Sequence, residues 1–386
     1  MRLAALRPPM LRTEESEEQH RSATWLELFY DLVFVVAVAA LGHRLLLDPD
    51  WSGALGFVGL FVPLWWSWAS FTFYADRYDT DDLGQRLLAV AQMVAIALMA
   101  ASVSGDEADS TAAFAAAFVA ARAVLLVMYW RAHRSVPRTR DLVSGYLRGF
   151  SAGGAFWLAS IFVPPGVRYG LWTIGLAIDL ATPYRLRKVQ ATVPLDVSHL
   201  PERFGLFTIL VLGESIAAVV SGISAHEWNA ATTTGGVLGV LVASALWWLY
   251  FDNLEGSVVR RRPEQRTAWK PTVWIYAHLP LALALTATGI GLDFAVARHV
   301  EAAERWLLVG SVAGALLAMA AIHVATDRGN SGRDRRQAQV RLVAVPFVLA
   351  LGLLGSAVDS NVVLAGLIVI IGAQVVHDLQ AYAPRS

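Results

Sequence analysis

The stretch Leu64-Trp65-Trp66-Ser67-Trp68, followed by Tyr74 and Asp76, is echoed later in the chain by Leu246-Trp247-Trp248-Leu249-Tyr250 and Asp252. Each copy closes an apolar run and opens a charged loop. The run before each copy also recurs: Leu28-Phe29 through Ala39-Ala40 is similar to Leu206-Phe207 through Ala217-Ala218. Working outward from these anchors, the apolar stretches fall into two sets of six. Internal repeats of this kind are common in membrane transport proteins, where the site lies at the repeat interface.

Of the 386 residues, 56% are hydrophobic and 16% charged, and the apolar residues are grouped rather than spread. Segments such as Leu32 to Leu41 and Val362 to Ile371 are apolar all round, whereas a soluble helix keeps a polar back. The runs are about 20 residues long, enough to cross roughly 30 Å of hydrocarbon at 1.5 Å per residue. They predict an all-α polytopic membrane protein with about twelve spans: 25–46, 53–75, 83–104, 110–130, 145–163, 166–184, 204–223, 230–251, 272–296, 305–325, 340–357 and 361–379. The fifth is rich in glycine (Gly145, Gly149, Gly153, Gly154) and the eleventh contains Pro346. The organisation expected is a tail over 1–24, a first six-helix repeat over 25–184, a linker over 185–203 and a second repeat over 204–380.

Basic residues alternate with the spans. Arginines cluster before the first span and in the loops after the second, fourth, sixth, eighth and tenth, including Arg77, Arg203 and Arg341; the other side has only Arg168, Arg298 and Arg305. This asymmetry places the basic side, with both termini, in the cytoplasm. Six spans per half leave the halves in the same orientation, related by an axis along the membrane normal. The acidic start (Glu14, Glu15, Glu17, Glu18) has no signal-peptide core and reads as a solvated, mobile tail. Formal net charge is zero, so nothing global points to nucleic acid. With no cysteine there is no disulfide or thiolate chemistry, and the histidines lack metal-ligand spacing. No catalytic, cofactor or metal motif stands out.

Ionisable groups inside a span are costly and mark interiors or cavities. Glu214 lies about 15 Å into the seventh span and Arg122 at a similar depth in the fourth. Asp31 lies about 9 Å into the first span, and Glu27 one turn before it, on the same face. Asp179 is a turn and a half from the end of the sixth. Two readings stand for Glu27 and Asp31: a cation or proton site, or interfacial and helix-locking pairs. Arg122 demands a partner, with Glu214 first choice and Asp31 second. It too is open to two readings, a structural bridge or a substrate-linked pair. Trp65, Trp66, Trp247 and Trp248 suit an aromatic belt, or a constriction beside a pathway. Gly310-x-x-x-Gly314 signals close helix packing.

Glu27-Leu28-Phe29-Tyr30-Asp31-Leu32-Val33-Phe34-Val35 and Glu202-Arg203-Phe204-Gly205-Leu206-Phe207-Thr208-Ile209-Leu210-Val211-Leu212-Gly213-Glu214-Ser215 resemble the two signatures of the bacterial low temperature requirement A (LtrA) proteins. The Trp-Trp pair and Tyr74-x-Asp76-Arg77-x-Asp79 fit as well, so the resemblance runs from about residue 21 to 380. It implies a multi-pass membrane protein. In layout the chain is also similar to endolysosomal potassium channels, which join two six-helix repeats and carry an acidic motif in the first helix of each. The functions open at this point are a channel or secondary transporter for a small cation, proton or solute; a membrane enzyme acting on lipid or prenyl substrates; and a membrane scaffold. The partners expected are the lipid bilayer and a small cation, proton or solute.

Overall fold

The structure is a computed structural model that describes residues 7–11, 24–79, 82–103, 107–193, 199–252, 269–296, 300–326, 332–354 and 358–382. The helices are α1 (Trp25–Leu47), α2 (Trp51–Arg77), α3 (Leu83–Ser102), α4 (Glu107–Ser135), α5 (Arg140–Ser160), α6 (Pro165–Arg185), α7 (Arg187–Gln190), α8 (His199–Ser224), α9 (Ala230–Phe251), α10 (Lys270–Val296), α11 (Ala302–Thr326), α12 (Arg333–Gly352) and α13 (Ser360–Tyr382). Among the described residues, all but the four-residue α7 have at least 20 residues. Nine of them are long and apolar enough to cross a membrane. The other three are α5, with its glycine stripe, α6, which carries Arg168 and Asp179, and α12, which opens on Arg333, Asp334, Arg335 and Arg336.

Local chemistry sets the helix ends. Thr24 and Glu27 form a reciprocal cap on α1: the Glu27 amide donates to Thr24 Oγ1 at 3.3 Å, and the Thr24 amide donates to Glu27 Oε2 at 2.8 Å. Asp82 accepts from the Gln85 amide at 2.8 Å to start α3, and Asn229 accepts from Ala231 and Thr232 at 2.9 and 3.0 Å to start α9.

The helices are apolar outward. On α3 the exposed stripe is Leu83, Leu87, Val90, Val94 and Leu98, while Gln85 and Gln92 face inward. Water would reverse that arrangement; lipid favours it.

Packing divides the chain into two units, residues 1–41 with 59–203, and 42–58 with 204–386. In the first, α3, α4, α5 and α6 pack each on the next, and most of α2 from Phe61 onward is buried. In the second, α10, α11, α12 and α13 pack in sequence and α9 lies against α13. The first residues of α8, His199 to Arg203, belong to the first unit. The 185–203 segment is therefore not all linker: its last five residues begin a helix.

The glycines of α5 have a steric purpose. A Cβ on Gly145 would meet Leu186, one on Gly149 would meet Thr182 Oγ1, and one on Gly153 would meet Asp179 Oδ1. Spaced by four, the three glycines form one face, and α6 approaches along it. Gly310 has nothing within 4 Å and Gly314 only ordinary contact with Ala284, so the close crossing is here and not at that motif.

The described residues of the tail, 7–11, are tied to the first unit. Met10–Leu11 (β1) pairs antiparallel with Tyr78–Asp79 (β2). The Arg7 amide donates to Asp82 Oδ2 at 3.0 Å, and Arg131 reaches the same oxygen at 2.8 Å. Residues 7–11 are thus a strap and not a solvated tail. The acidic run at 14–18 lies outside the described residues.

Candidate functional site

The charges that matter converge at the starts of α1 and α8 and the end of α2, within the first unit. Glu27 and Asp31 share a face of α1. His199 and Arg203, also four apart, share a face of α8. The two faces meet. Arg203 Nη2 donates to Asp31 Oδ1 at 2.7 Å, with both side chains at 0% exposure. His199 Nε2 lies 3.3 Å from Glu27 Oε1, and its Nδ1 lies 3.3 Å from Asp76 Oδ1 on α2. Trp68 Nε1 donates to Asp31 Oδ1 at 2.8 Å.

Three carboxylates are gathered with two bases, and Arg77, buried in the last turn of α2, acts on Asp76. With His199 protonated the group is balanced, and both ring nitrogens can donate, one to each carboxylate. With His199 neutral, one of those hydrogen bonds is lost and one negative charge is left over.

Arg122 does not pair with Glu214 or with Asp31. Its partner is Asp179, 2.6 Å away, with exposures of 3% and 0%. The guanidinium sits between two phenyl rings, 5.1 Å from the centroid of Phe118 and 4.7 Å from that of Phe150. The partner carboxylate is pressed onto Gly153. Aromatic faces and close-packed backbone leave this pair little room to move. Its geometry is that of a lock between α4 and α6.

Glu214 is half-exposed on α8 and has no ion-pair or hydrogen-bond partner among the described residues. The two tryptophan copies differ. Trp65 and Trp66 are 1% and 0% exposed, so they are core and not a belt; Trp247 and Trp248 are 43% and 42% exposed, as a boundary aromatic would be.

Other arginines counted by sequence as loop residues are also internal. Arg341 pairs with Asp378 and reaches Gln374 Oε1 at 3.2 Å, inside the second unit. Arg168 donates to the carbonyls of Ser160 and Val163 at 3.1 and 3.0 Å. His278 bonds the Trp274 carbonyl at 2.7 Å and the Tyr250 hydroxyl at 3.0 Å, a packing role.

Sequence reasoning found Glu27 and Asp31 but missed His199, Arg203 and Asp76 as their partners. The signal was present: His199-x-x-x-Arg203 mirrors Glu27-x-x-x-Asp31 in spacing and opposes it in charge.

Two comparisons bear on this arrangement. The family model described as Bacterial low temperature requirement A protein (LtrA) matches residues 22–376, so its span includes both faces of the cluster. An uncharacterized protein of Rhizobium meliloti (strain 1021) is 26% identical over 328 residues, covering 80% of this chain and 78% of that protein.

Proposed function

This chain belongs to the bacterial low temperature requirement A family, and we propose that it is a channel or secondary transporter for a small cation or proton, gated at the Glu27–Asp31–Asp76–His199–Arg203 cluster. Family membership and the many apolar helices make it a multi-pass membrane protein. The finer reading is twelve spans in two parallel six-helix repeats, with both termini in the cytoplasm of a bacterial cell. Supporting it are the matching tryptophan stretches, the like order in which α3–α6 and α10–α13 pack, and the basic loops on one side.

The observation that carries the functional reading is the titratable centre of the cluster. His199 is the one member whose ordinary proton exchange falls near neutral pH. Losing its proton leaves the buried group one negative charge in excess, which a monovalent cation or a returning proton balances. Charge therefore enters and leaves this site as a matched pair of events, as proton-linked or pH-gated movement requires.

The test is flux in proteoliposomes across a panel of monovalent cations and protons, with inside and outside pH varied. The expected result is pH-dependent flux in the wild type that His199→Gln abolishes while folded protein is retained. Absence of flux for every ion at every pH gradient would overturn the proposal. A scaffold would then remain, a reading that the tightly packed Arg122–Asp179 lock favours.

A further inference from the structure

The first unit has a corner rich in positive charge, where α4 leads into α5 and α6 into α7. Arg134, Arg138, Arg140 and Arg148 are exposed on one side of it. Arg185, Arg187 and Lys188 are exposed on the other. Two contacts hold the sides together. His133 Nε2 lies 3.1 Å from Ser144 Oγ, which ties the end of α4 to the start of α5. One residue on, Gly145 is pressed against Leu186, the residue between α6 and α7. The close approach of α5 and α6 therefore gathers into one place cations that are far apart in the chain.

These cations lack acids. Between 131 and 190 the one exposed acid is Asp141, and Asp179 is taken by Arg122. None of the corner's exposed cations forms an ion pair among the described residues, whereas Arg131, Arg203 and Arg341 are each bonded to an aspartate. Their hydrogen bonds within the chain go to carbonyls. Arg140 Nε donates to the His133 carbonyl, Arg148 Nε to that of Ser144 and Arg187 Nη1 to that of Tyr184, each at 3.2 Å. The other nitrogens of these guanidiniums stay open to a ligand.

Aromatic neighbours fix the depth. Arg134 lies 4.6 Å from the centroid of Trp130, and Arg187 lies 4.5 Å from that of Tyr184. The two rings are 49% and 54% exposed, near the ends of α4 and α6. Exposed aromatic rings at helix ends sit at the headgroup level of a bilayer. An arginine lying on such a ring keeps its charge at that depth. Its planar fork matches the oxygens of a phosphate, two donors to two acceptors.

We propose that this corner binds the phosphate headgroups of anionic phospholipids. The surface is independent of the transport reading, because no ion has to move for it to be filled.

The test is a lipid titration of the full chain in detergent, read by native mass spectrometry, with phosphatidylglycerol compared with phosphatidylcholine. The wild type should bind the anionic lipid more tightly. Arg148→Gln with Arg185→Gln should weaken that binding by about 30-fold and leave phosphatidylcholine unaffected. A second pair, Arg138→Gln with Lys188→Gln, should act alike. Arg335→Gln with Arg336→Gln removes the same charge from exposed residues of α12 and should leave both lipids bound as in the wild type. Equal affinity of the wild type for the two lipids overturns the proposal. So does wild-type binding of phosphatidylglycerol in both corner variants, or an equal loss in the α12 variant, which would make net charge and not the corner responsible. Glycerol phosphate added alone should not displace the lipid; displacement would assign the corner to a dissolved phosphate compound instead. Tighter binding of an RNA oligonucleotide than of phosphatidylglycerol would overturn it as well.

Discussion

Arg203 and Asp31 lie 172 positions apart in the chain and 2.7 Å apart in the structure, both wholly buried. One helical turn away, His199 and Glu27 repeat the same opposition of base and acid. Two parallel pairs of this kind fix the register and the rotation of the first residues of α8, His199 to Arg203, against the start of α1, because sliding either stretch by a residue separates both pairs at once.

Removing one member of the inner pair should be far worse than removing both. Asp31→Asn leaves a buried guanidinium uncompensated and should cost about 3 kcal/mol or more. The double variant Asp31→Leu with Arg203→Met should cost much less than the sum of the singles. A double-mutant cycle read by thermal unfolding in detergent checks this, and additive losses would count against a coupled pair.

Glu214→Gln should leave stability unchanged to within about 0.5 kcal/mol, since no partner is lost. Asp179→Asn should cost about 3 kcal/mol, because it strands Arg122. The reverse ranking would mean that Arg122 is held elsewhere.

Gly153→Ala should destabilise by about 1–3 kcal/mol, since the added methyl meets Asp179 and the Gly175 carbonyl. Gly170→Ala, on the open side of α6, should be neutral or stabilising by up to about 1 kcal/mol. Melting temperatures of the two variants decide it.

The strap has a pH limit. Burial alone would raise the Asp82 carboxyl, but the Gln85 and Arg7 amides and the Arg131 guanidinium outweigh it and hold the group below the usual carboxylate range. A depressed folded value means that its contribution is complete above the ordinary carboxylate pKa of about 4 and is lost as pH falls through the lower folded value. A spin label on a single cysteine at position 10 should stay immobile from neutral pH to about pH 5 and loosen only below about pH 4. In Asp82→Asn it should be mobile at neutral pH.

The helices were legible because length and hydropathy alone set them: α9 spans the expected 230–251, and α1 differs from its expected span by one residue. The site was half legible. Glu27 and Asp31 stood out as acids in an apolar run. His199 and Arg203 did not, because a charged stretch ahead of a span looks the same whether it is a loop or a buried helical turn; only packing against α1 distinguishes them. Arg122 announced its need for an acid but not which one. Depth along the helix favoured Glu214, whereas the choice of Asp179 came from the glycine face of α5, which brings α6 close.

Because Arg203 completes the first unit, that unit cannot finish assembling while it is being made. At about 5–20 residues/s, the ribosome reaches Arg203 roughly 9–34 s after Asp31. Throughout that interval Glu27, Asp31 and Asp76 wait without their bases. Cutting the gene between α6 and α8 would make the wait permanent, so residues 1–186 expressed alone should be a substrate for quality-control proteases. Co-expression of the remainder, beginning before His199, should rescue it.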